Sequence, residues 1–145
     1  QRNGTPDQRA SAACGISNFS SGLVEHTMIK GLEALVIESF ATARVYGVER
    51  QMLATLKETF PGIDWEKQGA YFFTRVAQHG QRRAEEMRES ANTVAEAGFE
   101  PFMTQSIADK QQWMADAAKA GVFKDIPSDA PWEVFADALI SARRA

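Results

Sequence analysis

The densest group of side chains able to do chemistry is the run His79-Gly80-Gln81-Arg82-Arg83-Ala84-Glu85-Glu86-Met87-Arg88-Glu89. Two adjacent guanidinium groups can grip a carboxylate or phosphate bidentately. A helix beginning near Gln81 would add free N–H groups and the positive end of a dipole. The same spacing suits a solvated helix face laced by Arg82 with Glu85 and Glu86 and by Arg83 with Glu86. Spacing alone favours that plainer reading. The pair Glu25-His26 could supply a general base, set against the simpler role of a histidine at a solvated helix end. In Lys30-Gly31-Leu32-Glu33 a glycine interrupts a strong helix at a cost of about 1 kcal/mol relative to alanine. Close helix packing would require the missing side chain, and so would the approach of a ligand.

Other chemistries find little support. One cysteine and two distant histidines do not make a zinc site. Neither His26 nor His79 follows a glutamate by three residues, as the Glu-x-x-His pairs of helical di-iron sites require. No GxGxxG run, phosphate loop or nucleophile elbow occurs. Trp65, Phe72, Phe73, Trp113 and Trp132 fall at helical spacing or near helix starts, which suits a core better than a platform for bases.

The elements that must position these residues are helical throughout. Leu23 to Tyr46 reads as a long, largely buried helix whose inner stripe is Leu32, Leu35, Val36, Phe40 and Ala43, closed by Gly47. A short helix over 49–59 turns Met52, Leu53 and Leu56 inward and stops at Phe60-Pro61-Gly62. Asp64 caps a third helix carrying Trp65, Phe72, Phe73 and Val76, and His79-Gly80 predicts a break or kink. A charged fourth helix over 81–97 turns Met87, Ala91, Val94 and Ala95 inward and ends at Gly98. Pro101 opens a fifth helix reaching about Ala120, with Phe102, Met103, Ile107, Trp113 and Met114 apolar. A sixth runs from Trp132 to about Arg143. Valine and isoleucine nowhere alternate over a strand length, so the fold class is all-α, with six helices in one domain.

The 145 residues suit a single domain, and 44% apolar with 24% charged residues is the balance of an ordinary globular protein. A net charge of −3 argues against nucleic acid and anionic membrane as partners. A lone Cys14, with no apolar leader or spanning segment, predicts a reducing, cytoplasmic setting. Residues 1–22 are rich in small and polar types and read as a flexible N-terminal arm ahead of the helical domain over 23–145. Asn18-Phe19-Ser20 matches a glycosylation sequon, which carries no weight without a secretory signal.

Two stretches carry a family resemblance. One is Met28-Ile29-Lys30-Gly31-Leu32-Glu33-Ala34-Leu35, continuing through Glu38 to Tyr46-Gly47-Val48-Glu49. The other is the His79 to Glu89 run with Gly98-Phe99-Glu100-Pro101. Together they resemble the C-terminal helical domain of NAD(P)-dependent dehydrogenases related to 6-phosphogluconate and β-hydroxyacid dehydrogenases. The nearest branch is the one described as having a phosphogluconate-dehydrogenase-like C-terminal domain. The resemblance implies a Rossmann domain holding NAD or NADP ahead of the first helix, where only about twenty polar residues stand here. It implies a hydroxy-acid substrate, a pocket partly built by the helical domain, and a homodimer.

The resemblance also implies a catalytic lysine near the start of the first helix and an asparagine one turn later. Counting back from Glu38, these positions fall on Gly22 and His26, so no catalytic residue is carried over. His79, Arg82 and Arg83 match the second motif and are the implied substrate-binding residues, with His26 beside them. Without a nucleotide-binding half and that lysine, the chain alone is expected neither to bind the cofactor nor to turn over substrate, and the missing half could be separately encoded. The competing reading is a free-standing helical interaction or dimerisation module without catalysis. Loss of the lysine at Gly22 favours that module, and retention of the His79 to Glu89 run favours the enzyme domain. The apolar circumference of the first helix supports a homodimer under either reading.

Overall fold

The computed structural model describes the backbone of residues 6–144 and the side chains of residues 22–143. It is all-α, with helices α1 (Pro6–Tyr46), α2 (Glu49–Thr59), α3 (Trp65–Glu96), α4 (Phe102–Lys119) and α5 (Trp132–Arg144). Three helix ends share one device. Gly47, Gly98 and Gly121 take φ of +67°, +88° and +84°, and the residue after each donates back to a carbonyl five residues earlier, as in Val48 N to Ala43 O. Asp64 caps α3 by accepting from the Lys67 N–H at 3.1 Å.

Two expectations need correction. The helical backbone of α1 begins at Pro6 instead of Leu23. Proline is preorganised for a first helical position, and once a ladder exists each added residue gains a bond, so weak formers are carried along. The arm expected over 1–22 therefore overlaps helical backbone, while its side chains up to residue 21 and the backbone of residues 1–5 lie outside the described residues. The predicted break at His79-Gly80 is also absent. The third and fourth predicted helices are one, so the described residues form five helices, near the six expected. Gly80 is a contact point: a Cβ there would lie 2.8 Å from Gln111 O and 3.1 Å from Ala115 N, so α4 crosses against the bare backbone of α3.

The main core joins α1, α3 and α5. Trp132 is fully buried against Phe40 (ring centroids 4.9 Å apart) and Phe73 (6.4 Å), and Phe135 packs on Phe73 and Phe123. Arg44 clasps the outside of this layer, with Nε 2.9 Å from Asp137 and Nη1 2.7 Å from Glu49. A second, smaller core of Ala34, Met87, Ile107 and Ala108 joins α1, α3 and α4. The expected inner stripe of α1 is partly right. Val36, Phe40 and Ala43 are buried with Ile37, whereas Leu32 and Leu35 face outward. Trp113 is likewise half exposed, under the ammonium of Lys110. Among the described residues no helix is long and apolar enough to cross a membrane.

Candidate functional site

A charged seam runs where α1 crosses α3 and α4. On α1, His26, Lys30, Glu33 and Ile37 follow one another by three or four residues and share a face. Ile37 belongs to the apolar core, so its neighbours along that face are carried inward with it. Arg83 Nη2 donates to Glu33 Oε1 at 2.6 Å, with side chains only 5% and 1% exposed. Gln111 of α4 donates through Nε2 to Glu33 Oε2 and to the Lys30 carbonyl, each at 3.3 Å. Lys30, 4% exposed, pairs with Glu86, and Arg82 Nε approaches the other Glu86 oxygen at 3.8 Å. Ser90, one turn beyond Glu86, donates to the Leu23 carbonyl at 3.1 Å and ties the start of the seam shut.

The two carboxyl groups feel opposite pulls. Burial pushes Glu33 above the usual glutamate range, against the attraction of Arg83, the Gln111 hydrogen bond and the charges of Arg75 and Lys30. Glu86 lies below that range. Partial burial would raise it, but the hydrogen bond and charge of Lys30, then Arg82 and His26, outweigh that effect. Glu86 is therefore ionised at neutral pH and sits at the open end of the seam, 29% exposed.

The four residues named from sequence are dispersed along this seam. Arg83 is enclosed and committed to Glu33. The i,i+3 pairing with Glu86 suggested by spacing does not form, whereas that of Arg82 with Glu86 does. Because α3 is continuous, no helix N-terminus stands beside Arg82 and Arg83, and that source of anion affinity is removed. Arg82 is 65% exposed at the mouth of the seam. His26 is half-buried beside Glu86, with Nδ1 enclosed and without a hydrogen-bond partner among the described residues. His79 is exposed on the same α3 ridge as Arg82 and Glu86. At Gly22 an added Cβ would meet nothing within 4 Å among the described residues. At Gly31 the Cβ would lie 3.0 Å from Ile107 Cδ1, so α4 packs closely against α1 at this glycine.

Sequence reasoning missed Glu33, Gln111 and Ser90. A usable signal was present: Glu33 and Lys30 stand on the buried stripe one and two turns before Ile37, and Gln111 lies between Ile107 and Met114. Charged or amide groups on a buried stripe need partners on the facing helix. Among the described residues, no group of three or more His, Cys, Asp or Glu side chains is placed to hold a metal ion. Those residues also include no strand, and the sequence has no glycine-rich loop to cradle a dinucleotide. No hydride step is assigned to these residues.

A wide apolar surface lies on the opposite side of α1. Val24, Met28, Ile29, Leu32 and Leu35 are exposed there. Met28, Leu32 and Leu35 line a groove of about 390 Å³ with Met103, Ile107 and Gly31. Glu38 and Lys110, 2.7 Å apart, close one end of the groove.

Comparison with known proteins is informative at this point. Residues 43–114 match a family described as a domain of unknown function (DUF1932). A crystal structure described as the conserved hypothetical protein from Sinorhizobium meliloti 1021 is similar over 87% of this chain, with a TM-score of 0.75 and 33% identity. The match takes in 40% of that protein, so the chain spans about two fifths of its length. No curated protein matches the chain.

Proposed function

We propose that this chain is the substrate-binding and dimerisation region of an NAD(P)-dependent oxidoreductase acting on a hydroxy acid, with the nucleotide-binding half supplied by other residues. The observation that carries the reading is a meeting of motifs. The two stretches that resemble the dehydrogenase C-terminal domain converge in one seam through Glu33 with Arg83, 50 residues apart, and Lys30 with Glu86, 56 apart. Similarity to two fifths of a longer solved protein is in keeping with a region that works inside a larger assembly. Arg82 and His26 at the open end are the groups available to a substrate, with His79 further along the ridge. Arg83 supports them from inside.

The test joins this chain to the remainder of the S. meliloti protein in place of the matching part. The chimera is assayed with NADH, NADPH and a panel of short hydroxy acids, beside the isolated chain. The reading expects cofactor binding by the chimera, turnover once Gly22→Lys restores the implied lysine in it, and neither cofactor binding nor turnover by the chain alone. Micromolar binding of NADH or NADPH by the isolated chain would overturn it. A second reading, an interaction module without catalysis, draws support from the exposed apolar face of α1. An inactive chimera that still self-associates through that face would favour it.

A further inference from the structure

The Glu38–Lys110 bridge that closes the α1 groove also borders a second hollow, of about 290 Å³, between α1, α4 and α5. Ile37 and Ala41 of α1 and Leu139 and Ile140 of α5 give it an apolar lining. Trp113 of α4 and Tyr46 of α1 line it too, both with much of the ring exposed. Exposed aromatic rings beside a concave apolar surface are common anchors of a binding site, and this volume suits a small ligand. The charges around the hollow are unequal. Lys110 and Arg143 line it against one carboxylate, Glu38, in a chain whose net charge is −3. Lys110 Nζ stands 2.7 Å from Glu38 Oε2 and 4.7 Å from the centre of the Trp113 ring system. Ammonium and indole are therefore within reach of one small molecule. Glu38 is 63% exposed, and a bridge open to water is worth little, so its hold on Lys110 is exchangeable. Arg143 makes no ion pair among the described residues. None of the charged residues of the seam borders this hollow.

We propose that this hollow between α1, α4 and α5 binds a small aromatic carboxylate. The ring lies on the apolar lining against the Trp113 indole, and the carboxylate takes the Lys110 ammonium in place of Glu38. Arg143 adds its charge from α5. Ring surface and apolar lining select a flat, apolar body, the volume keeps it small, and the excess of cations selects a negative substituent. No covalent bond is made or broken. The site uses neither a nucleotide-binding half nor the seam, so it stands or falls apart from the oxidoreductase reading.

The chain has three tryptophans, and Trp65 and Trp132 are buried, so the indole N–H signal of Trp113 reports on the hollow beside two internal controls. The isotope-labelled full chain, with Trp113 assigned through Trp113→Phe, is followed by NMR at neutral pH and constant ionic strength. It is titrated with sodium benzoate and, separately, with benzyl alcohol and with sodium acetate. Benzoate should shift the Trp113 signal saturably, with half-saturation at or below about 10 mM. Benzyl alcohol and acetate should each bind at least about fivefold more weakly, since each lacks one half of the ligand. Lys110→Gln should weaken benzoate about fivefold, Arg143→Gln about twofold, and Glu38→Gln should tighten it about threefold. None of these three residues is buried, so the variants keep the fold. A linear drift without saturation would overturn the proposal. Benzyl alcohol binding as tightly as benzoate would do so as well, and so would unchanged benzoate binding in Lys110→Gln. A Trp113 signal that moves with protein concentration and not with benzoate would make a second copy of the chain the occupant, and would equally overturn it.

Discussion

Arg83 Nη2 meets Glu33 Oε1 at 2.6 Å across fifty residues of chain, with both side chains shut away from water. The ion pair is incompletely satisfied: Arg83 Nε and Gln111 Oε1 are both buried without a protein partner among the described residues. A buried pair of this kind is costly to break and need not be optimal for stability.

The first prediction follows from that imbalance. Arg83→Met leaves the buried Glu33 carboxylate with Gln111 as its remaining hydrogen-bond donor, and should lower the stability measured by urea unfolding by about 3 kcal/mol. Replacing both, Glu33→Leu with Arg83→Met, should restore most of the loss. A double variant less stable than the single would show that the pair itself is strongly stabilising.

Glycines 22 and 80 should respond oppositely to alanine. Gly22→Ala meets no described atom within 4 Å and should raise stability by about 0.5–1 kcal/mol through helix propensity. Gly80→Ala drives a methyl group onto the backbone of α4, where no flexible side chain can yield, and should cost about 1–3 kcal/mol despite the same propensity gain. Thermal melts of the two variants beside the parent chain decide this.

Acid should weaken the clasp on the α1–α5 layer. The hydrogen bonds and charge of Arg44 hold Asp137 below its usual range, and Glu49 is held down by its own backbone N–H and by Arg44. A carboxyl with a depressed folded-state pKa contributes stability that is present above its unfolded pKa and lost as pH falls through the folded value. Glu86 acts in the same sense. Glu33 opposes them, because its raised pKa gives a contribution that is complete at low pH and lost as pH rises through the folded value. Melting temperature should therefore fall from about pH 4 downward, and Asp137→Asn should flatten that fall. An unchanged acid slope in the variant would remove the clasp from the account.

The exposed face of α1 sets up a prediction about assembly. Met28→Lys with Leu35→Lys alters side chains that are already in solvent, so the fold should keep its stability within about 0.5 kcal/mol. Light scattering should show a dimer for the parent chain and a monomer for the variant. A parent chain that is monomeric at micromolar concentration would refute dimerisation through this face.

The tryptophans should separate by environment. Trp132→Ala removes a fully buried side chain from between Phe40 and Phe73 and should cost about 3–5 kcal/mol by chemical denaturation. Trp113→Ala, on the half-exposed edge under Lys110, should cost far less.

Most of the scaffold was legible because its signals are local. Gly47 and Gly98 ended helices as their left-handed backbone requires, Asp64 capped α3, and Trp65, Phe72, Phe73 and Val76 went inside. What sequence could not tell was how neighbouring helices approach. Gly80 reads as a breaker by propensity, and only the nearness of Gln111 and Ala115 turns it into a contact. Leu32 and Leu35 read as core because they are apolar at the right period. They face outward because α1 is apolar on more sides than its neighbouring helices cover. The site was half legible. Arg82 and Arg83 stood out by composition, but their separate fates depend on Glu33, a residue unremarkable until its burial is known.

The bonds of the seam also order events in time. Gln111 reaches Lys30 across 81 residues and Arg83 reaches Glu33 across 50, whereas α3 and α4 are joined by the short connection at 97–101. Closing a long loop is entropically slower than folding a helical hairpin, so α3 and α4 should pair first and α1 should dock onto them late. The charged contacts would then be absent from the rate-limiting barrier. Arg83→Met should accelerate unfolding while leaving the refolding rate nearly unchanged, and stopped-flow chevrons would read that asymmetry directly.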